Sequence, residues 1–238
     1  MDATPAIDIK DVSYTYPDGS EALRGVTLRI EPGESVAVMG ANGAGKSTLM
    51  LALPGLIEAR GIINISGVPL SRKTVRDIRK KVGIVFQNPE DQLFCPTVFD
   101  DVAFGPKNMG FDDTVVNHRV GFALSAMMLD GFENRSAHHL SFGEKKRAAI
   151  ATILSMEPDI IVFDEPTANL DPEGVFELKR IISSINTTKL IVTHDVKLAG
   201  ALTERSVILS DGRLVCDMTT ELLLADSPLL KKLKLVFD

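Results

Sequence analysis

Short apolar runs separated by glycine, proline, aspartate and asparagine follow one another along the chain, and they predict an α/β protein. Residues 7–16 alternate loosely between apolar and polar positions, and residues 26–30 form another short run of this kind. The turn-forming residues 17–20 lie between these runs. The front of the chain is therefore predicted to be a small antiparallel β subdomain.

Later apolar runs are compact and rich in β-branched residues, as in the strands of a parallel sheet that is covered on both faces. The runs are residues 36–39, 82–86, 160–163 and 190–193. Residues 88–156 instead have a mostly helical pattern, with the clearest helices predicted over residues 114–128 and 141–156.

These patterns predict one domain with three parts. The parts are an α/β core in residues 1–87 and 157–222, an inserted helical subdomain in residues 88–156, and a helical tail in residues 223–238. Residues 221–238 mix leucines with lysines, and such a segment either covers an edge of the core or meets a partner; we expect the former.

Composition narrows the classes of function. A net charge of -6 and a pI near 5.3 argue against a protein that holds nucleic acid through broad phosphate contacts. No apolar stretch reaches the roughly 18 to 20 residues that span a bilayer, and the first residues lack the pattern of a secretory signal, so we expect a cytosolic location. Cys95 and Cys216 are far apart and have no CxxC spacing, so they indicate neither a disulfide framework nor a zinc site.

The first chemical motif is residues 40–47, which fit G-x-x-x-x-G-K-[ST] between a predicted strand and a helix predicted over residues 48–53. Such a loop turns backbone N–H groups toward phosphate oxygens, Lys46 bridges the β- and γ-phosphates, and Ser47 ligates Mg²⁺. The alternative is a glycine-rich turn without a ligand. We assign ATP contacts to Gly40, Ala41, Asn42, Gly43, Ala44, Gly45, Lys46, Ser47 and Thr48.

A second motif is the acidic end of the apolar run at residues 160–163. The run delivers Asp164 to the carboxyl edge of the predicted sheet, where ligands bind in such folds. Asp164 is placed to hold Mg²⁺, directly or through water, and Glu165 to polarise the water that attacks the γ-phosphate. A strand that ends in two acids is common, so this motif depends on the phosphate loop for its interpretation.

The third motif is the segment Leu-Ser-Phe-Gly-Glu at residues 140–144. Ser141 and Glu144 satisfy the capping box S-x-x-E, so the segment could simply begin a helix. A capped helix start also presents free N–H groups and the Ser141 hydroxyl, which suit a γ-phosphate offered by another subunit. The two readings are compatible.

Together these motifs resemble the ATP-binding cassette (ABC) ATPases over essentially the full length of the chain. The resemblance implies a P-loop NTPase fold of the RecA-like type, with ATP and Mg²⁺ as cofactors. It also implies a head-to-tail dimer, in which each ATP lies between residues 40–47 of one protomer and residues 141–143 of the other. The second protomer is another copy of the chain or a paralogous ATPase.

The resemblance also assigns roles outside these motifs. Tyr16 matches the aromatic residue that stacks on adenine, Gln87 the residue that contacts Mg²⁺ and the attacking water, and His194 the switch histidine near the γ-phosphate. Residues 169–171 match a loop that communicates between the two sites, although Asp171 equally fits a helix N-cap. The plainer alternative for the other three is a polar or aromatic residue at the end of a strand. The implied catalytic residues are Lys46, Glu165 and His194; the implied Mg²⁺ contacts are Ser47, Gln87 and Asp164; the implied nucleotide contacts include Tyr16, Gln87, Ser141 and Gly143.

Phe142 departs from the family pattern, since most members carry glycine there. A phenylalanine cannot supply a close backbone approach made through glycine torsions, so a phosphate contact at this position depends on Ser141 and Gly143.

Among cassette ATPases, residues 88–106 are similar to those of energy-coupling factor (ECF) importers, in which this region faces a transmembrane coupling subunit. Residues 14–19 and 138–147 are more similar to the cobalt and nickel branch than to the vitamin branch. The implied protein is a peripheral ATPase at the cytoplasmic face of the membrane, with a coupling subunit and a substrate-binding membrane subunit as partners. An ECF vitamin importer, another ABC transporter, and a soluble ABC ATPase that acts on ribosomes or DNA are the alternatives.

His138 and His139 are adjacent and do not share a helix face, so they do not indicate a binding site for the transported metal.

Overall fold

The computed structural model describes residues 4–236. Its strands are β1 (Ile7–Thr15), β2 (Glu21–Ile30), β3 (Ser35–Met39), β4 (Arg60–Ile65), β5 (Val68–Pro69), β6 (Val82–Val85), β7 (Ile160–Asp164), β8 (Thr188–Val192), β9 (Arg205–Ser210) and β10 (Arg213–Thr219). Its α-helices are α1 (Lys46–Ala52), α2 (Val75–Lys81), α3 (Val98–Asn108), α4 (Asp113–Ala126), α5 (Phe142–Leu154), α6 (Pro172–Ser184), α7 (Val196–Leu202), α8 (Thr220–Ala225) and α9 (Ser227–Lys232).

The chain divides into two compact units. The first contains the residues up to Val82, the segment Asp159–Asp164 and the residues from Asn186 onward; the second contains Gly83–Pro158 and Glu165–Ile185. Residues 88–156, the predicted helical subdomain, lie in the second unit together with α6.

In the first unit, an antiparallel sheet has the strand order β2-β1-β4-β5, which confirms the antiparallel front section. The second strand begins at Glu21, earlier than the predicted residue 26. β2 extends toward the N-terminus because Leu23 pairs with Tyr14 and Glu21 pairs with Thr15 of β1. Its first residues do not alternate regularly, so the apolar pattern did not reveal this part of the strand.

A second sheet in the same unit runs β10-β9-β3-β8-β7, and the pairs β9·β3, β3·β8 and β8·β7 are parallel. Each residue of β8 is buried, as are nearly all of those in β3 and β7. These strands confirm the apolar runs predicted for a sheet that is covered on both faces. Because parallel strands end at the same edge, the segments that follow β3, β7 and β8 begin close together.

The second unit is mainly helical. The helices predicted over residues 114–128 and 141–156 are present as α4 and α5, each slightly shorter than predicted. Side-chain caps begin these helices and their neighbours: Thr97 caps α3, Asp112 caps α4 and Asp171 caps α6. The capping role predicted for Asp171 is thus confirmed.

The tail forms α8 and α9 in the first unit. Leu223, Leu230 and Leu235 pack in one apolar cluster with Met39 and Ile208. The tail therefore covers an edge of the core, as expected; residues 237–238 of the predicted tail lie outside the described residues. In residues 4–236, each helix is too short or too polar to cross a bilayer.

Candidate functional site

The loop between β3 and α1 holds two glycines that the fold requires. Gly40 has φ +148°, and a Cβ there would lie 2.3 Å from the carbonyl oxygen of Leu209. Gly45 has φ +103°, and a Cβ there would lie 2.4 Å from the carbonyl oxygen of Ala22. Both torsions and both close approaches exclude a side chain. The helix begins at Lys46, before the predicted residue 48, so that the end of the loop is also the first turn of α1.

Lys46 folds back over this loop. Its Nζ donates hydrogen bonds to the carbonyl oxygens of Gly40 at 2.7 Å and Ala41 at 3.1 Å, and the residue is only 8% exposed. An ammonium group among backbone dipoles at a helix start makes a local concentration of positive charge, which suits phosphate oxygens. The charge of the loop therefore suits the phosphate groups of a nucleoside triphosphate.

Tyr16 lies beside the loop. Its hydroxyl is 3.0 Å from Oγ1 of Thr48, and its ring stands edge to face with Tyr14 at 5.0 Å between centroids. A cavity of about 410 Å³ is lined by Tyr16, Ser20, Glu21, Ala22, Asn42, Gly43, Gly45, Lys46, Ser47 and Thr48. The structure therefore brings an exposed aromatic ring and the phosphate loop to one cleft.

Three strands of the parallel sheet deliver the remaining site residues of the first unit to one edge. Gly40 follows β3, Asp164 ends β7, and His194 comes soon after β8. Asp164 pairs in register with Val192, the last residue of β8. Ser47 is exposed in the same unit. Hydroxyl and carboxylate oxygens are the donors that Mg²⁺ prefers, so the residue types fit this ion.

In the second unit, Ser141 begins α5 with the predicted capping box. Its Oγ accepts a hydrogen bond from Glu144 N at 3.3 Å, and Glu144 Oε2 accepts one from Ser141 N at 2.7 Å. The backbone hydrogen bond from Ser141 lowers the pKa of Glu144, although partial burial opposes this effect. The capping reading of this motif is confirmed.

The segment 141–143 lies beside residues 169–171. Both line a cavity of about 630 Å³, together with Arg147 and Glu177, which form an ion pair. Asp171 Oδ1 accepts a hydrogen bond from Gly174 N at 2.8 Å, which fixes the start of α6. The structure thus places the segment assigned to a contact with the other protomer's ATP beside the loop assigned to communication between the two sites.

Gln87 and Glu165 also belong to the second unit. Gln87 is exposed shortly after β6, and Glu165 directly follows β7 with φ +42°, a left-handed torsion that is unusual for a residue with a side chain. The carbonyl oxygens of both residues accept hydrogen bonds from Lys146 Nζ. Lys146 has no functional signal in the sequence, because a lysine next to two other basic residues is typical of a solvated face.

The two adjacent histidines lie in a short 3-10 helix, Ala137–His139. Residues 4–236 contain no group of three or more His, Cys, Asp or Glu side chains that is arranged to hold a metal ion.

The sequence model of the family described as ABC transporter matches residues 23–168. Among curated proteins, the chain is 48% identical over 235 residues to the energy-coupling factor transporter ATP-binding protein EcfA of Methanothermobacter thermautotrophicus. That alignment covers 96% of this chain and 76% of the relative.

Among solved structures, CbiO1 from Clostridium perfringens, described as part of the ABC transporter complex CbiONQ, aligns with a TM-score of 0.85 and 35% identity. The alignment covers 98% of this chain and 95% of CbiO1. The dimeric cassette MJ0796, in a post-hydrolysis state bound to ADP and Pi, aligns with a TM-score of 0.79 and 29% identity over 90% of this chain and 98% of its own. The chain is thus similar to nucleotide-binding cassettes over nearly its whole length.

Proposed function

The chain belongs to the ABC transporter ATPases, and we propose that it is the ATP-hydrolysing subunit of an energy-coupling factor importer that takes up cobalt or nickel ions through membrane partner subunits. The observation that carries the proposal is the presence, in one chain, of a glycine-constrained phosphate loop and a capped helix start at Ser141. The first suits binding of ATP within a protomer, and the second suits a contact with ATP from the neighbouring protomer.

Within one protomer, residues 40–48 would hold the phosphates and Tyr16 would stack on the adenine. The enclosed Lys46 ammonium and the cavity beside Tyr16 support this arrangement. Ser47, Gln87 and Asp164 would hold Mg²⁺, which supplies positive charge that neutralises the phosphate oxygens when it is bound.

For hydrolysis, Glu165 would polarise the attacking water and His194 would contact the γ-phosphate. A carboxylate is a suitable general base for water, provided that it is held within hydrogen-bond reach. Placement of Glu165 directly after Asp164 supports this role, because the two acids leave the same strand end.

The second protomer would contribute Ser141 and Gly143 to the same ATP. A cassette with this arrangement is incomplete alone, since its own Ser141 serves the other nucleotide. Gly143 has an ordinary torsion, and a Cβ there would meet Leu170 at an unstrained 3.8 Å. The fold itself therefore accepts a side chain at this position. This supports a role for Gly143 in a close approach to the ATP of the other protomer.

The membrane partner would meet the segment after Gln87. Phe94 and Phe104 are 66% and 49% exposed, and their rings stand edge to face at 5.1 Å. The backbone beneath them is fixed, because Asp101 Oδ1 accepts hydrogen bonds from Phe94 N and Cys95 N at 2.9 Å each. A rigid, exposed aromatic pair suits a hydrophobic partner, and it supports a peripheral location at the cytoplasmic face of the membrane.

The choice of cobalt or nickel rests on the similarity of residues 14–19 and 138–147 to the metal-importing branch. The ion itself would pass through the membrane subunits.

Detergent purification with the chain as bait tests the proposal. We expect an integral coupling subunit and a small substrate-binding membrane subunit in the complex, and ATP-dependent uptake of labelled cobalt or nickel in vesicles that contain it. Uptake of a labelled vitamin would move the chain to the vitamin importers. Co-sedimentation with ribosomes or DNA, without a membrane subunit, would overturn the transport assignment.

A further inference from the structure

Lys146 is buried in the helix that Ser141 begins. Only 1% of its surface is exposed, although it carries a charged group and lies between Lys145 and Arg147. A lysine ammonium is rarely buried unless its charge is compensated by hydrogen bonds or a charged partner. The contacts of this side chain therefore show how its buried charge is compensated.

The ammonium group reaches two segments that are distant in sequence. Lys146 Nζ donates to the carbonyl oxygen of Gln87 at 2.7 Å and contacts that of Glu165 at 3.4 Å. Gln87 is proposed to contact the attacking water, and Glu165 is proposed to polarise it. The side chain of Lys146 thus joins α5 directly to the backbone of both, within the second unit.

Phe142 lies one helical turn before Lys146, at the i,i+4 spacing that places two side chains on one face. The ammonium lies 5.6 Å from the centroid of the Phe142 ring, within the range of a cation–π interaction. The aromatic residue that departs from the family pattern therefore contacts the buried charge, where a glycine would leave it without this neighbour.

The backbone at Glu165 needs support. Its φ of +42° is unfavourable for a residue with a Cβ, and its carbonyl oxygen accepts hydrogen bonds from Ala168 N at 3.1 Å and from Lys146. Contacts to this carbonyl help to hold the torsion, and the torsion determines the direction in which the Glu165 side chain leaves the strand.

We propose that Lys146 is a positioning residue, and that Phe142 stabilises its ammonium group. Through the carbonyl oxygens of Gln87 and Glu165, Lys146 fixes both residues relative to the helix that begins at Ser141. Lys146 does not touch ATP in this proposal. The inference rests on the proposed roles of Gln87 and Glu165 in hydrolysis.

The test compares ATP hydrolysis by the full-length chain, in its complex with membrane subunits, for wild type, Lys146→Met and Lys146→Arg. Methionine keeps the length and apolar stem of lysine but removes its charge. We expect kcat to fall roughly 10- to 100-fold in Lys146→Met because the catalytic group is misplaced, with the KM for ATP within about twofold of wild type. The Mg²⁺ concentration for half-maximal rate should rise, and Lys146→Arg should restore part of kcat.

Lys189→Met is the matched control. Lys189 is also buried, at 7% exposure, but it lies near the start of β8, away from the strand ends that carry the site residues. We expect Lys189→Met to change the melting temperature, while kcat and the Mg²⁺ concentration for half-maximal rate stay as in wild type. If Lys146→Met lowers only the melting temperature, as a purely structural residue would, the inference is wrong.

Phe142→Leu provides a second route if Lys146→Met does not fold. We expect a smaller loss of kcat in the same direction. Where Lys146→Met does fold, the loss in the double variant should be less than the product of the two single losses, because both changes affect one contact. An unchanged kcat in Phe142→Leu would remove Phe142 from the proposal. Glu165→Gln is measured in parallel, so that failure of the proposed function can be told from failure of the proposal for Lys146. Full turnover in Glu165→Gln would overturn the proposed function. An inactive Glu165→Gln beside a fully active Lys146→Met would overturn only the role of Lys146.

Discussion

The hydroxyl oxygen of Tyr16 lies 3.0 Å from Oγ1 of Thr48. This contact joins the segment that follows β1 to the first turn of the helix that follows the phosphate loop. The ring that is proposed to stack on adenine and the loop that is proposed to hold the phosphates are therefore fixed to each other. Their separation is a property of the fold and does not require ATP to create it.

Two substitutions at Tyr16 should distinguish the contribution of the ring to ATP binding from the contribution of this hydrogen bond to stability. Tyr16→Phe keeps the ring, so ATP affinity should remain close to wild type while the unfolding free energy falls by about 0.5 to 1.5 kcal/mol. Tyr16→Ala removes the stacking surface, and ATP should bind roughly 5- to 100-fold more weakly. Calorimetric titration with ATP measures both variants. Equal affinities for Tyr16→Ala and wild type would exclude the stacking role.

Ser141 is predicted to act in both structure and function. Ser141→Ala removes a helix cap and should cost about 1 kcal/mol of unfolding free energy. Asp112→Ala is the matched control, because Asp112 caps α4 through a hydrogen bond from Val115 N at 3.0 Å. We expect similar losses of stability from the two changes, measured by urea denaturation.

Only Ser141→Ala should also impair hydrolysis, since Asp112 has no proposed contact with nucleotide. The expected loss is about tenfold or more, as for removal of a hydrogen bond to a charged group. Equal ATPase rates in the two variants would mean that Ser141 serves the helix alone.

Gly143 offers a test in which stability and function should move in opposite directions. Gly143→Ala introduces no clash in the chain and favours the helix, so stability should stay equal or rise by up to about 1 kcal/mol. Hydrolysis should fall, because the added methyl group obstructs the backbone approach of a phosphate from the other protomer. Gly121→Ala in α4, where a Cβ meets nothing within 4 Å, should give the same stability effect with unchanged hydrolysis. Wild-type ATPase activity in Gly143→Ala would contradict the proposed contact.

The capping box should make stability depend on pH at acidic values. The pKa of Glu144 is lowered from 4.5, chiefly by the hydrogen bond from Ser141 N, so the folded state favours the charged carboxylate. A lowered pKa in the folded state means that the contribution is fully present above the unfolded value of 4.5 and is lost as pH falls through the folded pKa.

Wild type and Glu144→Gln should therefore differ most in unfolding free energy near neutral pH, and the difference should shrink below about pH 4.5. Urea denaturation at several pH values measures this difference. A gap that stays constant down to about pH 3 would show that the carboxylate charge does not contribute to the cap.

Much of the fold follows from local pattern. The runs at residues 36–39 and 160–163 are buried strands because their apolar side chains have no polar alternation. The caps at Ser141 and Asp171 could be predicted because an N-cap depends on a few neighbouring residues. The family, the fold class and ATPase activity were likewise identified from motifs whose residues are close in sequence.

The features that sequence analysis missed depend on distant contacts. The burial of Lys146 is set by the carbonyl oxygens of Gln87 and Glu165, which no local pattern places near it. The positive φ of Glu165 likewise has no signal in sequence, because such torsions are normally assigned to glycine or asparagine. The early start of α1 depends on the torsion of Gly45, which turns the chain so that Lys46 is already helical.

The measurement that tests the central claim most directly is ATP binding and ATP turnover in Glu165→Gln beside wild type, in the purified transporter complex. If Glu165 polarises the attacking water, turnover should fall by about 100-fold or more, because general-base catalysis contributes factors of this size. ATP affinity should stay within about twofold of wild type, since the side chain acts on the water and not on the nucleotide. Turnover at the wild-type rate in Glu165→Gln would contradict the account.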